Sequence, residues 1–156
     1  MRAVLDTSVL ISAHRHWLWL LAKEGYYRAV WSPFITGELV RIRVERAIQF
    51  DQDRVVYRAR VNELIHLLSD VCEVVNYRDS PVSGVLKDPD DDPILATALA
   101  GKAELIVSLN TRDFPTDGVA MGIRFITPGG FLAELVAQYP ESQLETRSER
   151  AGRQIP

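Results

Sequence analysis

Apolar positions fall into two alternating rhythms along this chain. Short unbroken runs at Arg2 to Leu5, Ala29 to Trp31, Cys72 to Val75, Glu104 to Ser108 and Arg124 to Thr127 have the length of buried strands. Between them, apolar residues recur at three- and four-residue spacing. Val9 to Ala22 reads as helical, with a break near His14. Ser32-Pro33 reads as an N-cap with proline in the first helical position, opening a helix that carries Ile35, Leu39, Ile42 and Val44 to Ile48. Asp51 and Asp53 precede a further helix with Tyr57, Val61, Leu64, Ile65 and Leu68 on one face. Asn76 to Lys87 reads as a loop, Pro93 to Ala103 as a helix, and Gly129-Gly130 lead into a last helix, Phe131 to Gln138. Strands alternating with helices predict an α/β fold with a mainly parallel sheet covered on both faces. The pattern gives one domain over residues 1–139 and a polar tail over 140–156.

Composition narrows the class. The chain has 156 residues, 47% of them apolar and 25% charged, ordinary values for a globular domain with a sizeable core. No apolar stretch has the length of a bilayer span, and Asp6 interrupts the first apolar run before a signal peptide could be established. The single Cys72 excludes an internal disulfide framework and suits a reducing cytoplasm; within Val71 to Val75 it reads as a packed strand residue. The net charge of −3 hides an uneven distribution. Arg15 to Arg60 holds nine Lys/Arg against five Asp/Glu, and Asp70 to Asp92 holds two against seven. Arginine outnumbers lysine fifteen to three, and its planar fork suits phosphate. A basic half beside an acidic pocket fits a phosphate-bearing polymer gripped near a metal; a solvated helix surface is the plainer alternative.

The candidate chemistry lies in the placement of the acids. Asp6 closes the first strand-like run, Asp88 to Asp92 lead into the Pro93 helix, and Asn110 and Asp113 follow the Glu104 to Ser108 run. In open parallel sheets the active crevice lies beyond the carboxyl ends of the strands, which puts Asp6 and Asn110 on one edge. Glu38, near the start of its helix, reaches the same crevice. Gathered carboxylates raise one another's pKa, and a hard cation bound by oxygen offsets that cost, Mg²⁺ or Mn²⁺ rather than zinc. Each acid also has an ordinary reading. Asp6 starts turns readily, Glu38 can pair with Arg41, and aspartates favour helix N-termini. One aspartate would suffice for that last role. His14, His16 and His66 lack zinc spacing, and Thr7 and Ser8 have no histidine partner in a triad order. Of Trp17 and Trp19, one is expected in the core and one on a dimer surface.

Four stretches together resemble the PIN domain, the metal-dependent ribonuclease module of VapC-type toxins. They are Val4-Leu5-Asp6-Thr7-Ser8-Val9-Leu10, Ser32-Pro33-Phe34-Ile35-Thr36-Gly37-Glu38-Leu39, Asp91-Asp92-Pro93-Ile94-Leu95-Ala96-Thr97-Ala98-Leu99 and Leu105-Ile106-Val107-Ser108-Leu109-Asn110-Thr111-Arg112-Asp113-Phe114, in the family's order. The resemblance implies a Rossmann-like three-layer α/β/α sandwich. It implies catalytic acids at Asp6, Glu38, Asp91 and Asp113. Asp91 is selected because it lies three residues before Ile94. Asp92, beside Pro93, is the expected N-cap and a further candidate ligand, and Asp90 is the alternative if the loop is shifted. Asp6, Asp91, Asp92 and Asp113 are thus the candidate ligands for Mg²⁺ or Mn²⁺. Asn110, where the fourth acid often lies, offers a neutral oxygen. Thr7, Ser8, Asn110, Arg41 and Arg112 are the candidate contacts to substrate.

The implied activity is a metal-dependent endoribonuclease that cuts single-stranded RNA with metal-activated water. It would act in the cytoplasm as the toxin of a toxin–antitoxin pair, with an antitoxin protein as partner, as a homodimer and without a membrane. The alternative is a catalytically silent PIN scaffold that binds RNA or a protein. A haloacid-dehalogenase-type phosphatase needs a second aspartate where Ser8 stands. A receiver domain needs a lysine after a late strand, where Ile126-Thr127 stand.

Overall fold

The computed structural model describes residues 1–50 and 53–139; Asp51 and the tail 140–156 lie outside the described residues. Six strands form one sheet in the order β3-β2-β1-β4-β6-β5. They are β1 (Arg2–Leu5), β2 (Arg28–Trp31), β3 (Cys72–Val74), β4 (Leu105–Val107), β5 (Val119–Ala120) and β6 (Ile123–Ile126). All pairings are parallel except β5 with β6. The helices are α1 (Thr7–Leu10), α2 (His14–Lys23), α3 (Pro33–Gln49), α4 (Arg54–Ser69), α5 (Asp92–Ala100) and α6 (Pro128–Gln138). From β1 the chain adds β2 and β3 on one side, then crosses back to β4 and β6 on the other. Right-handed crossovers place the helices of those two excursions on opposite faces. The result is the expected three-layer α/β/α sandwich.

The central strands are apolar because both faces are covered. Ala3, Val4, Leu105, Ile106 and Val107 are at most 1% exposed. Register aligns Leu5 with Val107, and Val107 with Ile126. The strands therefore end together: Asp6 N–H donates to Val107 O at 3.0 Å, and Ser108 N–H to Ile126 O at 3.0 Å. Strand order reverses between β1 and β4, so the residues just past these two strands flank the switch-point crevice. α5 is buried along Ile94, Leu95, Ala96, Thr97 and Ala98. At its end Gly101 admits the close approach to β2, because a Cβ there would collide with Val30.

Several expectations hold in detail. The first helical stretch breaks after Leu10 and resumes at His14. Asp53 caps α4, accepting from Val55 N–H at 2.8 Å. Trp19 packs partly against the core and donates its indole N–H to Leu67 O at 2.9 Å, while Trp17 is 61% exposed. Ser32 is the N-cap of α3 with Pro33 opening the helix, as expected, though its hydroxyl meets that of Thr97 at 2.7 Å rather than a backbone N–H and so ties α3 to α5. Others need correction. α6 begins at Pro128, not Phe131, because Thr127 caps it through Gly130 N–H at 3.2 Å. β5 was not expected. Its tight turn to β6 runs through Met121 and Gly122, both at positive φ, where methionine gives no turn signal.

Asp92 is the main local correction. It is the first residue of α5 rather than its N-cap. Its carboxylate is 4% exposed and accepts from the backbone N–H of Gly84 and, at 3.0 Å, of Leu86. It folds the 84–86 loop back onto the helix start.

Candidate active site

The β1–β4 switch point opens into a small pocket lined by Asp6, Asp91, Asn110 and Asp113, with Ser108 beneath and Leu86, Ile94, Ile106, Phe114 and Phe125 as apolar walls. Asp6 leaves β1 in extended geometry and is 8% exposed. Two hydroxyls fix it: Ser8 Oγ and Ser108 Oγ, the latter at 2.7 Å, both donate to Oδ2. Among the described residues no donor engages Oδ1. Ser8 Oγ also accepts from Leu109 N–H at 3.1 Å, and Ser108 Oγ from Asn110 N–H at 3.0 Å. The turn after β1 and the turn after β4 are thereby stitched together around one carboxylate.

Glu38 approaches from the second turn of α3. Thr7 Oγ1 donates to its Oε2 at 2.6 Å, and Arg41 pairs with its Oε1 at 3.7 Å. The helix ion pair expected as the ordinary reading is present, and so is the link to the residue next to Asp6. Asp113 closes a single 3-10 turn, Thr111–Asp113, and the Asn110 amide donates to its carboxylate. The two positions considered for the fourth acid therefore act as one unit.

Asp91 differs from the others. Among the described residues its carboxylate has no hydrogen-bond donor, and it lies half-buried. Burial first, then the charges of Asp6, Asp88, Asp113 and Glu38, push its pKa from 3.8 to about 6. This is the penalty expected of an uncompensated carboxylate among others. Of its neighbours, Asp88 caps the preceding turn through Asp90 N–H at 3.0 Å, and Asp90 is exposed. Asp92 has both oxygens committed to the loop, so it is not brought into the pocket. Among the described residues, no three His, Cys, Asp or Glu side chains converge tightly enough to ligate one ion as they stand.

At the rim, Arg41 is exposed and shared between Glu38 and Glu45, and Arg112 is exposed on the Asp113 turn. The sequence reading missed Ser108, although its position closing a strand directly before Asn110 was legible. It also missed Lys87, whose Nζ reaches Arg112 O at 3.5 Å. The three histidines stand apart from the pocket. Burial raises the Cys72 thiol to about 12, so it stays protonated, as a packed strand residue should.

The family model for the PIN domain matches residues 2–112. The chain belongs to the PIN domain family. The matched region takes in Asp6, Glu38, Asp91 and Asn110 and stops one residue short of Asp113. No curated protein matches the chain in sequence. Among solved structures, this PIN domain is similar to the crystal structure of VapBC2 from Rickettsia felis bound to a DNA fragment from their promoter. The TM-score is 0.51 at 15% identity, over 81% of this chain and 98% of that one. At that identity the likeness concerns the fold.

Proposed function

We propose that this PIN domain is a metal-dependent endoribonuclease that cuts single-stranded RNA and serves as the toxin of a toxin–antitoxin pair. One observation carries the reading: Asp91 is a half-buried carboxylate without a donor among the described residues, lining one pocket with Asp6 and Asp113, its pKa raised by burial first and then by nearby carboxylates. Such a grouping is costly to keep, and a hard divalent cation removes the cost. The donors are carboxylate and amide oxygens, with no thiolate or imidazole, which suits Mg²⁺ or Mn²⁺.

Asp6, Asp91 and Asp113 would hold the ion, with Asn110 as a neutral oxygen donor beside them. Bound there, such an ion would supply Lewis-acid charge toward a phosphodiester and lower the pKa of a water beside it. Ser8 and Ser108 hold Asp6 in one orientation, so its Oδ1 is presented without a rotamer search. Thr7 orients Glu38 as the carboxylate on the water side. Arg41 and Arg112 are placed at the rim to offset charge on the phosphate in the transition state. The partner assignment, an antitoxin protein, is supported by the resemblance to VapC-type toxins and by the likeness to the VapBC2 assembly. A cytoplasmic homodimer fits the lone thiol and the exposed Trp17. No helix of the described residues is long and apolar enough to cross a membrane.

A silent scaffold is favoured by a different observation, that Glu38 and Asp113 already have local partners in Thr7, Arg41 and Asn110. Calorimetry with Mn²⁺ separates the two. A nuclease binds the ion and loses it on Asp91→Asn, whereas a scaffold binds it poorly in both forms.

A further inference from the structure

One face of α3 carries Phe34, Gly37, Glu38 and Arg41, at i, i+3, i+4 and i+7. These residues form one wall of an open groove of about 670 Å³, and Pro89, Asp90 and Pro93 form the other. Asp90 on the groove wall and Asp91 in the acidic pocket are consecutive residues, so the groove adjoins that pocket. The volume lies in the range of small-ligand sites.

Gly37 is the informative residue. Glycine inside a helix is unfavourable, second only to proline. Its backbone here is not in the left-handed region, and a Cβ added to it would meet nothing within 4 Å. Neither backbone conformation nor packing among the described residues requires glycine at this position. What it supplies is a bare stretch of helix where a ligand can lie close to the backbone. Phe34, one turn before, is steadied edge-to-face by Tyr77, with ring centroids 5.9 Å apart. Arg41, one turn after, is exposed and pairs at 3.1 Å with the exposed Glu45, a contact that costs little to exchange for another anion, and at a longer 3.7 Å with the half-buried Glu38.

The Phe34 ring facing two prolines, a cleared floor, and a cation one turn along describe a slot for a planar ring attached to a phosphate, with Glu38 and Asp90 as the acids of the same walls. We propose that this groove takes the unstacked nucleobase adjoining the scissile phosphate of single-stranded RNA, with the base over Gly37 between Phe34 and the Pro89–Pro93 wall, and Arg41 on the backbone. This rests on the nuclease reading above. Unpaired bases stacked on aromatic side chains are the usual way single strands are held.

The test uses Gly37→Leu, which fills the slot while improving helix propensity, and Phe34→Leu, which keeps apolar volume but removes the ring. Binding of a fluorescein-labelled single-stranded RNA 12-mer is followed by anisotropy in Ca²⁺, and Mn²⁺ affinity by calorimetry. Gly37→Leu should melt no lower than wild type, keep its Mn²⁺ affinity and lose RNA affinity by about tenfold or more; Phe34→Leu should lose about fivefold or more, as for one stacked base. Wild-type RNA affinity in Gly37→Leu overturns the proposal, whether or not the protein cuts. A wild-type protein that binds RNA in this Gly37-dependent way but fails to cut with Mn²⁺ leaves the groove standing and removes the nuclease reading. A wild-type protein that binds no RNA overturns both.

Discussion

Asp91 and Asp92 are neighbours in the chain with opposite situations. Asp91 faces the acidic pocket without a donor among the described residues. Asp92, almost fully buried, gives both carboxylate oxygens to the backbone N–H groups of Gly84 and Leu86. The first arrangement costs stability and offers a site. The second provides stability and shapes the site wall, since Leu86 lines the pocket.

Asp91→Asn should therefore stabilise the protein in the presence of a chelator. The folded-state pKa is raised from 3.8 to about 6. As pH climbs from 4 to 6 the unfolded chain gives up this proton before the folded one does, so stability falls across that window and levels off above it. Converted in full, the rise is about 3 kcal/mol; solvent screening of a partly exposed carboxylate reduces it to about 1–2 kcal/mol. Thermal unfolding of both proteins from pH 4 to 7.5 should show the variant ahead at neutral pH and the gap closing near pH 4. A variant less stable than wild type at pH 7.5 contradicts the pocket electrostatics.

Asp92→Ala should do the reverse. It strands two backbone N–H groups that now bond to a buried charge, a loss of about 2–4 kcal/mol, more than removal of a helix cap. Asp91→Ala should abolish cleavage without lowering the melting temperature. Paired melting and turnover measurements on the two variants decide between this assignment and one shifted by a residue, which would give the opposite ranking.

Ser108→Ala removes one of the two hydroxyls that hold Asp6 Oδ2. The residue touches no substrate in this account, so it acts by positioning. Its loss should weaken Mn²⁺ binding by about 10-fold or more, in the range seen when a ligand's supporting hydrogen bond is removed. Calorimetry reads this directly, and Ser108→Thr, which keeps a hydroxyl, should restore part of the affinity. Unchanged affinity in Ser108→Ala would mean that Ser8 alone fixes the carboxylate.

What could be read from the sequence follows the range of the interactions involved. The apolar run ending in Asp6 announces both a central strand and a residue at its carboxyl end, because burial and strand length are local properties. Asn110 and Asp113 follow from β4 by the same logic. The work of Asp92 was hidden because it depends on a loop six to eight residues upstream folding back. Nothing in the Asp88 to Asp92 run distinguishes a loop clamp from a cap or a ligand. The Thr7–Glu38 link spans 31 positions and exists only once α1 lies against α3. The Met121-Gly122 turn was invisible because a methionine at positive φ carries no compositional signal. Gly37 was quoted within a motif, but its meaning needed the empty space beside it.

The central claim is that the acidic pocket cuts RNA with a divalent ion. The most direct measurement is cleavage of an end-labelled single-stranded RNA by wild type and by Asp6→Asn, each in Mn²⁺ and after exhaustive chelation, with melting curves recorded for both proteins. The account predicts cleavage by wild type in Mn²⁺ alone, none after chelation, and none by an Asp6→Asn protein that melts at or above the wild-type temperature. Cleavage by a well-folded Asp6→Asn variant, or wild-type cleavage that survives chelation, would contradict it.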